Sequence, residues 1–359
     1  MQTRRSLLQM AGADILTGLP PGPSTLAMQD RRPESANEKS PAQLMTPDTH
    51  KALERAIRFL KSSQLHEGSF AGAFGTNGFE SGVAVTSLAG LAFLTGGHVP
   101  GDGVHGDVVQ RATRYVLSKV QTSGLIALSN GSVGESMYGH GFSLLFLSQV
   151  YGMTQQPEIG KKLRMAVDLT VRSQNQFGGW RYEPEPVIPA DLSVTVCQIM
   201  GLRAARDAGI HVPDQTRDRC LSFVRQSHND DGSFRYQLNV GGTSTAMAAA
   251  GITSLYSAGI YGGAEIERSL KIIEQSRPGN GQASSHYYYT HYYAVQGMWH
   301  AGGEHWNQWY PAIRDDLIRR QQNDGSWAGT PSDGGTVCAT AMACIILQMP
   351  LNYLPVFAA

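Results

Sequence analysis

The sequence predicts an all-α fold: a ring of six helical hairpins in two concentric layers, an (α/α)6 toroid. Three observations lead there. A glutamine recurs about every 50 residues, at Gln64, Gln121, Gln174, Gln226, Gln275 and Gln322, and a period of that length marks a stack of supersecondary units. A glycine-rich turn follows the glutamine and is usually closed by an aromatic, as in His66 to Phe70, Gln176 to Trp180, Asn229 to Phe234 and Asn323 to Trp327. The second and fifth turns, Ser123-Gly124-Leu125 and Gly279-Asn280-Gly281, lack the aromatic. Finally, the helices on the two sides of each turn differ in kind.

The first helix of each hairpin, such as Lys51 to Gln64 or Glu158 to Gln174, is charged on one face. Acid-to-base pairs at i, i+4 (Glu54/Arg58, Glu158/Lys162, Glu267/Lys271, Asp315/Arg319) predict that this face meets solvent. The second, such as Gly82 to Leu94, Leu192 to Ala205, Thr243 to Ser257 and Thr336 to Leu347, is nearly uncharged. A helix that is apolar nearly all round is buried. An open stack needs polar terminal caps. Neither end supplies one, and Leu351 to Ala359 stays largely apolar, so the sixth repeat is expected to pack back onto the first around a central cavity.

The chain reads as two segments, 1–45 and 46–359. In the first, Thr3-Arg4-Arg5-Ser6-Leu7-Leu8 opens a mildly apolar stretch followed by a polar, proline-bearing linker. It resembles a twin-arginine export leader, which implies a periplasmic protein; the alternative is a cytoplasmic tail. Composition narrows the function. Of 359 residues 41% are hydrophobic, and the 29 basic and 29 acidic residues cancel, which gives no electrostatic footprint for nucleic acid. No apolar run reaches the roughly 20 residues of a membrane span. Cys197, Cys220, Cys338 and Cys344 lack CxxC spacing and read as core residues.

The run Arg320-Gln321-Gln322-Asn323-Asp324-Gly325-Ser326-Trp327 resembles the glutamine-tryptophan motif of squalene and oxidosqualene cyclases and of protein prenyltransferase β-subunits. The resemblance extends from Thr49 to about Pro355. It implies an α/α toroid in which Gln64, Phe70, Gln174, Trp180, Gln226, Phe234, Gln322 and Trp327 tie neighbouring hairpins together and take no part in chemistry. It also implies an isoprenoid-like or other apolar ligand in the cavity. The cyclases' Asp-x-Asp-Asp acid has no counterpart, since the only Asp pairs are Asp230-Asp231 and Asp315-Asp316. The transferases' Asp-x-Cys zinc pair is absent too, so neither a metal nor a cofactor is expected.

Candidate site residues stand where the turns lead into the buried helices. They are Glu80; Glu135, Tyr138 and His140; Asp191; the stretch from His286 to His291 with Tyr289 and Tyr292; and Asp333. Asp191, His291 and Asp333 are the candidates for proton transfer, because converging carboxylates and histidines shift one another's pKa. Helix N-capping is the plainer role for the acids. The tyrosines could stabilise a cation through their ring faces, grip a sugar, or simply pack. On a helix, positions 286, 289 and 293 share one face and 287, 291 and 294 another. Arg181-Tyr182 and Arg235-Tyr236 follow the turn aromatic in two consecutive repeats; the arginines could hold an anion, or pair with a turn carboxylate such as Glu183 or Asp231. Three functions remain in view: an isoprenoid-binding toroid, with cyclase- or transferase-type catalysis open; a non-catalytic exported scaffold with a protein partner; and a carbohydrate-active α/α barrel.

Overall fold

A computed structural model describes residues 39–72, 82–128, 136–278, 286–330 and 334–357. After a single turn, α1 (Pro41–Leu44), the helices α2 (Pro47–Ser63), α3 (Gly82–Thr95), α4 (Gly106–Ser118), α5 (Ser136–Thr154), α6 (Pro157–Arg172), α7 (Leu192–Asp207) and α8 (Asp214–Ser227) follow in order. A hairpin of β1 (Arg235–Gln237) and antiparallel β2 (Val240–Thr243) leads to α9 (Thr245–Ser257). The chain continues through α10 (Ala264–Gln275), α11 (Tyr287–Ala301), α12 (Gly303–Arg320) and α13 (Gly335–Gln348). The even-numbered helices from α2 to α12 form the outer layer and the odd-numbered ones from α3 to α13 the inner.

The two layers follow from the residue pattern. On α2, Ala52, Leu53, Ala56, Ile57 and Leu60 form a buried stripe. On α3 every described side chain from Val83 to Thr95 is buried, which suits the wall between an outer layer and the ring axis. Each inner helix packs on the next, and α13 packs on α3, so the ring closes as expected from its uncapped ends. Gln321 Nε2 donates to the Ala52 carbonyl at 2.8 Å, joining the sixth turn to the first outer helix. All four cysteines are buried thiols.

The turns are near copies of one another. In the first, the Leu65 N–H donates to the Ser69 carbonyl at 2.9 Å. The same bond recurs at Gln121 to Leu125, Asn175 to Gly179, Asn229 to Ser233 and Gln322 to Ser326. Gln64 Nε2 donates to the carbonyls of Gly68 in its own turn and Val108 in the next outer helix, both at 3.0 Å. Gln174 repeats this with Gly178 and Thr216. The sixth repeat departs from expectation, because the residue four before the turn glycine is Gln321, and Gln322 is exposed. In the fourth repeat Gln226 bonds only to Ser222 on its own helix, and His228 stands in the tying position. Val120 does so in the second, and the fifth turn lies outside the described residues.

The aromatic closing each turn is fully buried, as Phe70, Trp180, Phe234 and Trp327. Ile126 fills the equivalent place in the second repeat. The indole N–H of Trp180 donates to the Thr170 carbonyl, and that of Trp327 to the Leu317 carbonyl, both at 2.7 Å. Among the surface pairs, Glu158 and Lys162 meet at 3.8 Å, whereas Arg319 turns to Asp316. Leu44 and Met45 are buried, and Arg314 donates to the Leu44 carbonyl at 3.0 Å. At the far end of the ring, Leu354, Val356 and Phe357 fold underneath it. The short turn Pro355–Phe357 packs on α7, and Trp299 of α11 donates its indole N–H to the Phe357 carbonyl at 2.8 Å.

Candidate ligand cup at the mouth of the ring

The glycine turns feed the inner helices at one end of the ring, so the first turns of α5, α7 and α11 face a common mouth. Tyr138 on α5 donates to Ser193 Oγ on α7 at 2.7 Å, and Tyr289 on α11 donates to the Ser193 carbonyl at 3.3 Å. As inner helices two and five of six, α5 and α11 stand on opposite sides of the ring, and their phenols meet on a third helix. The Tyr182 ring lies 5.9 Å from that of Tyr138, and its hydroxyl is hydrogen-bonded to that of Tyr236 on β1. Burial pushes the Tyr138 and Tyr289 phenols well above their usual pKa, which keeps them neutral hydrogen-bonding groups.

One layer deeper the axis is filled. The rings of Phe142 and Tyr292 meet across it at 6.1 Å, and the Tyr293 hydroxyl lies 3.1 Å from Cys197 Sγ. All four side chains are buried. Among the described residues the axis is therefore packed, where a central cavity was expected; Tyr138, Ser193 and the partly exposed Tyr289 form its outermost layer, whose outer face we call the cup. Tyr292, expected to line that cavity, packs beneath this layer because its position carries it a helical step away from Tyr289.

Asp191 stands beside the cup, two residues before Ser193. It occupies the N-cap position of α7 but makes no side-chain cap. Gln237 Nε2, from the β-hairpin, donates to its Oδ1, and Arg181 Nε lies 3.5 Å from its Oδ2. The carboxylate is fully buried and Oδ2 has no hydrogen-bond partner. Burial pushes its pKa upward against the pull of Gln237 and Arg181, and Glu183 adds to the rise. Arg181 thus pairs with Asp191, where a turn carboxylate such as Glu183 was expected. Asp231 bonds instead to Ser233 within its turn. Arg235 is half-buried on β1 and forms no ion pair among the described residues.

The other sequence candidates lie elsewhere. The helical faces divide the fifth repeat as expected, with Tyr289 and Tyr293 turned inward in ring contact at 4.8 Å. His291 faces α12, with its ring 4.5 Å from Tyr287 and 5.7 Å from Trp309. Burial lowers its pKa to about 3, and it does not reach the cup. His286 opens α11 in a left-handed conformation and is exposed, with no side-chain cap. His140 ties structure together: its Nδ1 accepts from the Ile126 N–H at 3.2 Å and its Nε2 lies 2.9 Å from Thr170 Oγ1. Thr86, Thr195 and Thr340 accept the same turn N–H in the first, third and sixth repeats, so His140 replaces a threonine. Glu80, Glu135 and Asp333 lie outside the described residues. Among the described residues no group of His, Cys, Asp and Glu is placed to hold a metal ion, and no helix is long and apolar enough to cross a membrane.

Ser193 and Gln237 are the site residues that sequence reasoning missed; a lone serine and a lone glutamine carry no pattern. The repeated Arg-Tyr pairs did point at Tyr182 and Tyr236. On the other side of the hairpin, Leu238 joins Phe177, Ile188, Ala190 and Phe223 around a cleft of about 350 Å³, which the sequence had not suggested.

Two layers of helices joined by repeated glycine turns make this an α/α toroid protein. The prenyltransferase alpha-alpha toroid domain matches residues 40–126 and 140–286, well over half of the chain, and the chain belongs to that family. Among solved structures it is similar to the type II terpene cyclase MstE from Scytonema, with a TM-score of 0.58 and 14% identity, covering 86% of this chain and 99% of that one. A protein from Actinoplanes gives a TM-score of 0.59 and 14% identity, covering 85% and 100%. An unsaturated glucuronyl hydrolase specific for heparin gives 0.61 and 11%, covering 84% and 96%. At these identities the likeness is one of fold. MstE variants have been captured with geranylgeranyl dihydroxybenzoate as substrate and merosterolic acid A as product. No curated protein matches the sequence.

Proposed function

We propose that the chain binds an isoprenoid-like or other apolar ligand in the cup at the mouth of its ring. The observation that carries this reading is the convergence of phenols from opposite inner helices, Tyr138 and Tyr289, on Ser193. Aromatic rings are groups that attract alkenes and cations, and the fold that the chain shares with MstE supports the choice of ligand class. Asp191, with its pKa raised by burial, supplies beside these phenols a carboxyl able to accept or return a proton. The Arg4-Arg5 leader supports a periplasmic site of action, and replacing both arginines by lysine should retain the protein in the cytoplasm on cell fractionation.

The test is a fluorescence titration with farnesene, an isoprenoid hydrocarbon, alongside native mass spectrometry and organic extraction of the purified protein. Binding by the wild type that weakens at least about tenfold in Tyr289→Ala, with a nearly unchanged melting temperature, supports the cup. No farnesene binding, together with an extract free of apolar species, overturns it and leaves the scaffold reading.

A further inference from the structure

Asp191 and Arg181 are an incomplete pair. A buried carboxylate usually has all its lone pairs satisfied, because an unmet acceptor in a low-dielectric site costs free energy. Here Oδ1 is satisfied by Gln237, while Oδ2 is buried and meets Arg181 Nε at 3.5 Å as an ion pair without a hydrogen bond. The arginine has no other ion pair or hydrogen bond among the described residues. A buried acceptor without a hydrogen bond and a partly exposed set of donors thus face one another at the edge of the cup. The two partners differ in freedom: the Arg181 side chain is 33% exposed and that of Asp191 is 0% exposed. Arg181 is therefore the less confined of the two partners.

The chemistry of the gap selects its guest. An ammonium would satisfy Oδ2 but be repelled by the guanidinium. A phosphate or carboxylate would suit Arg181 but meet the Asp191 carboxylate head-on. An ether oxygen accepts and cannot donate. A hydroxyl carries one donor and two acceptor lone pairs, so of these groups it is the one that donates to Oδ2 and accepts from Arg181 at once. We infer that Asp191 and Arg181 form a head-group site for an alcohol, so that the ligand of the cup is an apolar molecule ending in a hydroxyl group. The inference rests on the cup as the binding site and adds the head group to it. Gln237 is the positioning residue, since its bond to Oδ1 fixes which oxygen faces the guest.

The experiment compares dissociation constants of four probes on the full protein: farnesol, farnesyl methyl ether, farnesene and farnesyl diphosphate. Farnesol should bind about tenfold or more tighter than the ether or the hydrocarbon, and tighter than the diphosphate. In Asp191→Asn, which keeps an oxygen for Gln237, the ratio of farnesol to farnesene affinity should collapse towards one. Because the wild-type probe series needs no variant, a misfolded Asp191→Asn protein leaves the test intact. Farnesene binding as tightly as farnesol overturns the alcohol site while the cup stands. Diphosphate binding as tightly as farnesol overturns it in favour of an anion site on the arginines. Failure of all four probes overturns the cup itself.

Discussion

The side-chain nitrogen of Gln348, at the end of the last inner helix, donates at 2.8 Å to both the carbonyl of Ala92 and the hydroxyl of Thr95 on the first. This buried amide clasps the last inner helix to the first, and Gly96 makes room for it: a Cβ there would lie 2.5 Å from Gln348 Oε1. Removing a buried hydrogen-bonding group costs about 1–3 kcal/mol. Gln348→Ala should lower unfolding stability by that amount, read as a shifted denaturation midpoint with cooperativity kept.

Neighbouring glutamines in the sixth repeat separate a tie from a surface residue. Gln321 Nε2 spans its own turn and the first outer helix, whereas Gln322 is exposed and its side chain reaches only Ser326. Gln321→Ala is expected to cost about 1–2 kcal/mol, and Gln322→Ala less than about 0.5 kcal/mol. Equal effects in a melting comparison would refute the assignment.

Gly178 sits at φ +95°, and a Cβ on it would lie 2.0 Å from the Arg219 carbonyl of the next outer helix. Both the conformation and the contact exclude a side chain. Gly178→Ala should destabilise by more than about 2 kcal/mol, and a thermal melt near the wild type's would show that the turn can move away from α8.

Two buried histidines give the fold an acid limit. Burial lowers the pKa of His140 to about 4 and of His291 to about 3, from the usual 6.5. The unfolded chain takes up protons at these positions that the folded chain refuses, so stability is full above pH 6.5 and falls as the pH drops towards those values. The loss is roughly 3 kcal/mol for His140 and roughly 5 kcal/mol for His291 once the descent is complete. Denaturation midpoints measured from pH 7 to about pH 5, before most carboxylates titrate, should fall in the wild type and fall less in His140→Gln and His291→Leu. Parallel slopes would show that these rings are already charged in the fold.

The ring was legible because its causes are local and repeated. Amphipathic outer helices such as α2, uncharged inner helices such as α3 and the turn glycines each write a period into the sequence. Ile126 and His140 were harder, because a compensating pair hides inside one repeat: the isoleucine replaces the turn aromatic, and the histidine stands in for the threonine that accepts its N–H. The site was legible only in outline. Tyr289 could be placed by helical phase and Tyr138 by its position at the start of an inner helix, but whether Asp191 was a proton carrier or a plain cap stayed open until the hairpin brought Gln237 to its Oδ1. That contact joins residues 46 positions apart through a register set by a bulged two-stranded ribbon, and no spacing in the sequence encodes it.

Leu354, Val356 and Phe357 stopper the ring at the end away from the tyrosines, under Trp299. Traffic is consequently one-ended. Among the described residues, a molecule held on Ser193 as proposed would find no through-passage and would leave by the mouth at which it entered. One mouth would then set both how long such a guest stays and how readily it arrives.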